Sequence, residues 1–252
     1  MNFNEEKKYT DLIFDLYGTL VDIRTDENDA AWQKTALFFG FYGANYSPAE
    51  LKNSYAELLQ NAEISAGQNY ECFPEIQIEK IFSALFERKT GKKNSARHGF
   101  MAAQIFRISS IDYIRLYPDA AESLARLKSA GFRLWLLSNA QRAFTFYELN
   151  FLGIKKFFRG IFISSDYGCK KPDAKFFDAL LDGNSLCRKN CLMIGNDSQT
   201  DIAGAKNSGV DSFYISSGIS PAEDKGKKID ATFFAEECDW KKICERLLSM
   251  KK

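Results

Sequence analysis

From Tyr117 onward the apolar positions switch repeatedly between the two spacings that mark helices and strands. In YPDAAESLARLKSAG, Leu124 and Leu127 fall on one helical face, Asp119 and Glu122 have capping-box spacing, and Gly131 suits the left-handed stop. RLWLLSNA then runs apolar without interruption, as a buried strand does. A helix through RAFTFYELNFLG, a strand at GIFISS, a helix at KPDAKFFDALLDG, a strand at CLMIGND and a short helix at TDIAGAKNSG follow in turn. SFYIS and ATFF supply two late strands, and WKKICERLLSM a closing amphipathic helix. This alternation predicts an α/β fold in which helices flank a parallel sheet.

One strand stands apart. DLIFDLYGTLVD carries an apolar run ending on Asp15, with Gly18 and Thr19 directly after it. Between Val21 and about Arg115 the strand signals vanish and the segment reads as helices. The clearest begins at SPAE, where Ser47 and Glu50 form a capping box around Pro48, and Leu51, Tyr55, Leu58 and Leu59 mark one face. The first strand is thus separated from the rest of its sheet by a helical insert. The expected organisation is a core of residues 1–21 and 116–252, with a cap of residues 22–115. ERKTGKKNSARHG and DKGKKID read as exposed loops.

Composition narrows the partners. The 252 residues are 45% hydrophobic and 14% aromatic, enough for a sizeable core. With 34 Lys and Arg against 33 Asp and Glu, the net charge of +1 offers no field suited to nucleic acid or an anionic membrane, which leaves a small molecule as the expected partner. MNFNEEKK lacks the apolar stretch of a signal peptide, and no later run approaches the roughly 20 apolar residues of a membrane span, so the expected location is cytoplasmic. Nothing in the sequence speaks to oligomeric state. The six scattered cysteines, Cys72, Cys169, Cys187, Cys191, Cys238 and Cys244, are expected to be buried thiols rather than bridges. CRKNC lacks the second ligand pair that zinc requires, and His98 is the sole histidine.

Polar residues fall where open α/β sheets place their sites, at strand C-terminal ends. They are Asp15 with Thr19, Ser138 with Asn139, Lys171 before Pro172, and Asp197 and Asp201 in GNDSQTD. A carboxylate nucleophile, hydroxyls, a lysine and an acidic pair suit phosphoryl transfer, with Mg²⁺ offsetting the repulsion between two anions. Thr19, Ser138 and Lys171 would hold the phosphate oxygens.

DLYGT, LLSNA, KKPD and IGNDSQTD, with IAGA after them, stand in one order from Asp11 to about Gly209, and in this the chain resembles the haloacid dehalogenase superfamily. The resemblance implies a Rossmann-like core with helices on both faces, a helical cap, and an aspartyl-phosphate formed at Asp15 on a small phosphorylated metabolite. Lys171 would be catalytic, Thr19, Ser138 and Asn139 would bind substrate, and Asp15, the Tyr17 carbonyl, Asp197 and Asp201 would hold Mg²⁺. Either Asn196 or Asp197 fits the first acidic position of the fourth motif; Asp197 is preferred for its charge.

Tyr17 is the main departure. Phosphatases of the superfamily usually have aspartate there as acid and base, and a phenol with a pKa of about 10 is a poor base at neutral pH. Tyrosine at that place resembles the superfamily's haloacid dehalogenases, which need no metal. Those enzymes also place an arginine on the cap, whereas only Arg24 lies early in this insert and the next arginine is Arg88. The preferred expectation is a Mg²⁺-dependent phosphohydrolase that is slow, restricted to good leaving groups, or supplied with an acid and base from elsewhere. The alternatives are a metal-free 2-haloacid dehalogenase and a non-catalytic binding module.

Overall fold

The computed structural model describes residues 8–67, 73–93 and 95–251. The strands are β1 (Asp11–Phe14), β2 (Val21–Thr25), β3 (Ile111–Leu116), β4 (Arg133–Ser138), β5 (Gly160–Ile163), β6 (Cys191–Gly195), β7 (Asp211–Ile215) and β8 (Phe233–Ala235). The helices are α1 (Asp29–Phe41), α2 (Pro48–Ala66), α3 (Ile78–Thr90), α4 (Ala96–Ser110), α5 (Ala120–Ser129), α6 (Arg142–Phe151), α7 (Ser164–Tyr167), α8 (Ala174–Leu181), α9 (Ala203–Asn207) and α10 (Trp240–Ser249).

Six strands form one parallel sheet in the order β5-β4-β1-β6-β7-β8. Its apolar runs bury both faces by simple alternation. Leu12, Phe14, Leu134, Leu136, Leu192 and Ile194 face one side with Leu124 and Leu127 of α5 and Trp240, Ile243 and Leu247 of α10. Ile13, Trp135, Leu137 and Met193 face the other side with Phe176, Phe177 and Leu180 of α8 and Ala205 of α9. The period of two thus decides which residues meet which helix layer. This is the Rossmann-like α/β core that the sequence predicts.

Register brings the strand ends together. Phe14 pairs with Leu136 on one side and Ile194 on the other, so Asp15, Ser138 and Asn196 all emerge at the same edge. After β1 the chain adds β4 and β5 on one side, then crosses back to build β6, β7 and β8 on the other. The order reverses between β1 and β6, where such sheets open a crevice.

The insert holds the four helices α1 to α4 around their own aromatic cluster, with Phe39 stacked on Phe86 at 3.9 Å and Trp32 against Phe106 at 4.6 Å. Ser47 and Glu50 make the expected capping box at the start of α2. Phe41 and Tyr42 stay exposed, while Phe73 faces a cavity described below. Tyr70 and Cys72 lie outside the described residues. Among the other cysteines, Cys191 and Cys244 are buried thiols but Cys187 is exposed.

Three local expectations are corrected. The stretch from Val21 to Arg115 is not wholly helical, because β2 and β3 pair as an antiparallel ribbon through which the chain enters and leaves the insert. Each strand is short and half-exposed, and its partner lies some ninety residues away, so local pattern carries little of the pairing. Asp119 does not cap α5 through its side chain, since it takes a left-handed conformation with φ of 62°. Lys171 does not end a strand: α7 intervenes after β5, and Lys171 follows in the loop before α8.

The two levels of structure should separate in denaturation. Leu136→Ala, at a fully buried site in the centre of the sheet, is expected to cost about 2–5 kcal/mol. Ser47→Ala, which removes only a cap on an exposed turn, should cost about 1 kcal/mol. Urea unfolding of both variants checks the ranking, and equal losses would contradict it.

Candidate active site

The site is built around one buried ammonium. Lys171 Nζ donates to Asp15 Oδ1 at 2.7 Å, to Asp201 Oδ1 at 2.6 Å and to the Leu137 carbonyl at 2.9 Å. Burial works against its charge, but Asp15 and Asp201 together outweigh that and hold the lysine pKa above its ordinary value. Ser138 Oγ donates to the same Asp15 oxygen at 3.3 Å. Asp15, Ser138, Lys171 and Asp201 therefore meet as the sequence predicts.

Asp201 is held from its own loop. Its Oδ2 accepts the backbone N–H groups of Asn196 and Asp197 at 3.0 and 3.1 Å. That requires glycine at 195, where an added Cβ would lie 2.2 Å from Asp201 Oδ2. Burial pushes the Asp201 carboxyl upward, Lys171 opposes this, and the charge of Asp15 adds to it. Two buried carboxylates thus share one ammonium, with Asp197 close enough to add a further negative charge.

Three of the expected residues take other positions. Thr19 is fully buried, and its hydroxyl donates to Asn196 Oδ1 at 3.3 Å. It joins the first and fourth motifs rather than facing a cavity. Asn139 clamps the backbone of Lys171, accepting from its N–H at 2.8 Å and donating to its carbonyl at 3.0 Å. Asp197 turns its carboxylate onto its own loop, where Oδ1 accepts from the N–H groups of Gln199 and Thr200. Asn196 is the member of that pair packed against the first motif, so closely that a Cβ on Gly18 would meet its Nδ2 at 2.2 Å. Gly18 also has a φ of +84°. The preference for Asp197 over Asn196 rested on charge alone, and backbone geometry works against it.

Tyr17 points away from Asp15. Its hydroxyl lies 2.5 Å from Glu148 Oε2 and 2.9 Å from Thr145 Oγ1, both on α6. Glu148 is also bound by Arg107 of α4, whose Nε reaches Oε1 at 2.7 Å. Burial, reinforced by the Glu148 charge, raises the phenol far above the ordinary tyrosine range. Arg107 is therefore an arginine of the insert near the site, although it lies far along the chain from the first motif. Arg24 instead pairs with Asp112 at the surface. The i, i+3 placement of Thr145 and Glu148, both buried on this helix, is the local signal for the cluster.

A cavity of about 680 Å³ lies between insert and core, walled by Tyr17, Phe73, Glu75, Arg107, Asn139, Gln141, Lys170 and Lys171 among others. A second device holds the fourth-motif loop: Ser198 donates to Asp224 through both its N–H and its hydroxyl. No local pattern in the sequence marks Asp224.

A doubly wound sheet with a buried Asp–Lys–Asp centre at its switch point defines the class. Residues 12–209 match the haloacid dehalogenase-like hydrolase family, and the chain belongs to it. It is 31% identical over 219 residues to the phosphoglycolate phosphatase of Vibrio cholerae serotype O1, covering 84% of this chain and 86% of that one. It is 32% identical over 110 residues to the glyceraldehyde 3-phosphate phosphatase of Methanothermobacter thermautotrophicus, a match spanning 44% of this chain and 49% of that relative, about half of each. The fold is shared with a HAD phosphatase from Thermococcus onnurineus at a TM-score of 0.61 and 16% identity, over 96% of this chain and 99% of that one.

Gly195→Ala should displace Asp201 and loosen its hold on Lys171. The expected cost is about 1–3 kcal/mol, read as a fall in the thermal unfolding midpoint. An unchanged midpoint would show that the loop relaxes freely around the extra carbon.

Proposed function

We propose that the protein is a Mg²⁺-dependent phosphohydrolase that cleaves a small phosphorylated metabolite through an aspartyl-phosphate at Asp15. The observation that carries this is the arrangement of Asp15 itself. Lys171 and Ser138 both bond Oδ1, which leaves Oδ2 as the attacking oxygen. The phosphatases among its relatives, acting on phosphoglycolate and glyceraldehyde 3-phosphate, support a small phosphorylated substrate. Among the described residues no helix is long and apolar enough to cross a membrane.

The residues present fit Mg²⁺. Among the described residues no three acidic, histidine or cysteine side chains form a ready-made cage. Mg²⁺, however, is ordinarily held by one or two carboxylates together with water and substrate phosphate. Asp15 and Asp201, with Asn196 Oδ1 and the Tyr17 carbonyl as neutral oxygens and Asp197 as an outer charge, are that kind of donor set. When bound, Mg²⁺ supplies positive charge against the phosphate and lowers the repulsion met by an anionic nucleophile.

Asp15 Oδ2 forms a bond to phosphorus as the bond to the leaving oxygen breaks. Lys171 remains protonated throughout and steadies the negative charge on Asp15 and the phosphoryl oxygens, and Ser138 donates to the same region. Water then attacks phosphorus, the bond to Asp15 breaks, and the carboxylate is restored with release of phosphate. Asn139 fixes Lys171 through its backbone, and Thr19 fixes the Asn196 amide.

A second reading, a metal-free 2-haloacid dehalogenase, is favoured by Tyr17 alone. Arg107, the arginine that such a reading would use for the substrate carboxylate, is already neutralised by Glu148.

Phosphate release from acetyl phosphate and a panel of metabolite monoesters, with and without Mg²⁺, tests the proposal. Turnover should require the metal and fall to background in Asp15→Asn. Halide release from 2-haloacids without metal, in the absence of phosphate release, would establish the second reading instead. Tyr17→Phe should keep phosphate release within about threefold, under 1 kcal/mol in the barrier. Its stability should fall by about 1–3 kcal/mol as Glu148 loses a donor. A thousandfold loss of turnover would return the phenol to the chemistry.

A further inference from the structure

We propose that Glu75, carried by the insert, is the general acid and base of the reaction, in the place that Tyr17 leaves vacant. This rests on the phosphohydrolase reading of the same site. Expulsion of an alkoxide needs a proton, and attack by water needs a base, so a carboxyl group must reach the space above Asp15. Tyr17 does not serve, because its hydroxyl is bound to Glu148 and Thr145. Glu148 does not serve either, since Arg107 and Tyr17 occupy it and it lines a separate groove on the far side of Arg107. Arg107, Lys170 and Lys171 are cations and offer no base.

Among the described residues, Glu75 is the one carboxylate that lines the 680 Å³ cavity, which Lys171 and Asn139 also line. Its position is fixed from the core. Ser164 Oγ donates to Oε2 at 2.6 Å and Gln141 Nε2 donates to Oε1 at 3.0 Å. The backbone around it is docked in the same way, with Glu75 N–H on the Gly168 carbonyl and Lys170 N–H on the Phe73 carbonyl. The Ile76 N–H also donates to Oε1, at 3.1 Å, so Oε2, which accepts from Ser164 alone, is the oxygen that retains a lone pair for a proton. Ser164 and Gln141 follow β5 and β4 respectively, so the insert's carboxylate is indexed to the strand ends that carry Ser138 and Asn139.

The proton balance is complete within this group. Protonated Glu75 gives its proton to the leaving oxygen as that oxygen parts from phosphorus and Asp15 Oδ2 bonds to it. The resulting Glu75 carboxylate takes a proton from the incoming water as the oxygen of that water bonds to phosphorus and Asp15 departs. Glu75 ends protonated, ready for the next substrate.

The experiment compares Glu75→Gln with the wild-type chain on acetyl phosphate and on alkyl monoesters, across pH. Gln keeps the shape and can still accept from Ser164. Monoester turnover should fall about 10²- to 10⁴-fold, with KM little changed, and the limb of the pH profile set by Glu75 should flatten. With acetyl phosphate, whose leaving group needs no proton, the first step should survive as a burst of acetate release ahead of slow phosphate release. Glu75→Ala should regain monoester turnover with added formate, which a purely structural tie would not allow. Near wild-type turnover with an intact pH limb in Glu75→Gln, or no rescue by formate of a folded Glu75→Ala, would overturn the role of Glu75 alone. A wild-type chain that releases no phosphate from any substrate would overturn the phosphohydrolase reading, and this inference with it.

Discussion

Lys171 Nζ, set between Asp15 and Asp201 and bonded to the Leu137 carbonyl, ties together three segments that are far apart in sequence. A buried ammonium is tolerable only when its donors are filled, and here carboxylates take two of the three and a carbonyl the third. Removing one partner would leave the others uncompensated, at a cost of about 3–5 kcal/mol for a buried pair. Much of the surrounding construction serves this contact. Asn139 clamps the lysine backbone, Gly195 clears space for Asp201, and Asp224 fixes the loop through Ser198. The sheet register then sets Asp15 and Ser138 opposite that loop.

The same contact explains why the centre is charged in the way it is. Burial makes Asp201 hold its proton more tightly than an exposed aspartate does, with Lys171 opposing this and the neighbouring Asp15 charge adding to it. The oxygen donors gathered at the tips of β1 and β6 are of the kind a hard cation would take. Because Asp15, Lys171 and Asp201 are all buried, their crowding is built into the fold.

The sheet and its order of elements were legible because buried parallel strands write themselves as uninterrupted apolar runs, and RLWLL and CLMIG are such runs. Asp15, Ser138, Lys171 and Asp201 were legible for a related reason: a polar residue that ends such a run, or precedes a helix-opening proline, has few purposes. What the sequence concealed depends on contacts across the chain. The β2–β3 ribbon joins segments whose pairing no local window contains. Arg107, Glu148 and Tyr17 look ordinary in their own helices and loop, and become a cluster only when α4 is laid on α6. Asn196 and Asp197 are adjacent in sequence, and charge favours Asp197, whereas the turn geometry sets Asn196 against the first motif. Once the loop leaves β6 at Gly195, the first residue faces Gly18 and the second caps the turn.

Replacing an aspartate by tyrosine at position 17 has a structural consequence that reaches the insert. An aspartate is too short to reach α6, whereas the phenol spans to Glu148 and Thr145 and brings Arg107 of α4 into the same cluster. The insert is thereby held at two separated points, one at Arg107 and one where the segment from Phe73 to Gln77 is laced to Ser164, Ser165 and Gln141. Two separated anchors restrict rotation of the insert more than either could alone, because each removes the pivot the other leaves. A group carried by the insert can then be placed over the core as accurately as one carried by the core itself. The Arg107–Glu148 pair, which the phenol joins but which does not depend on its hydroxyl, supplies rigidity that would let a carboxyl group from the insert serve where the first motif has none.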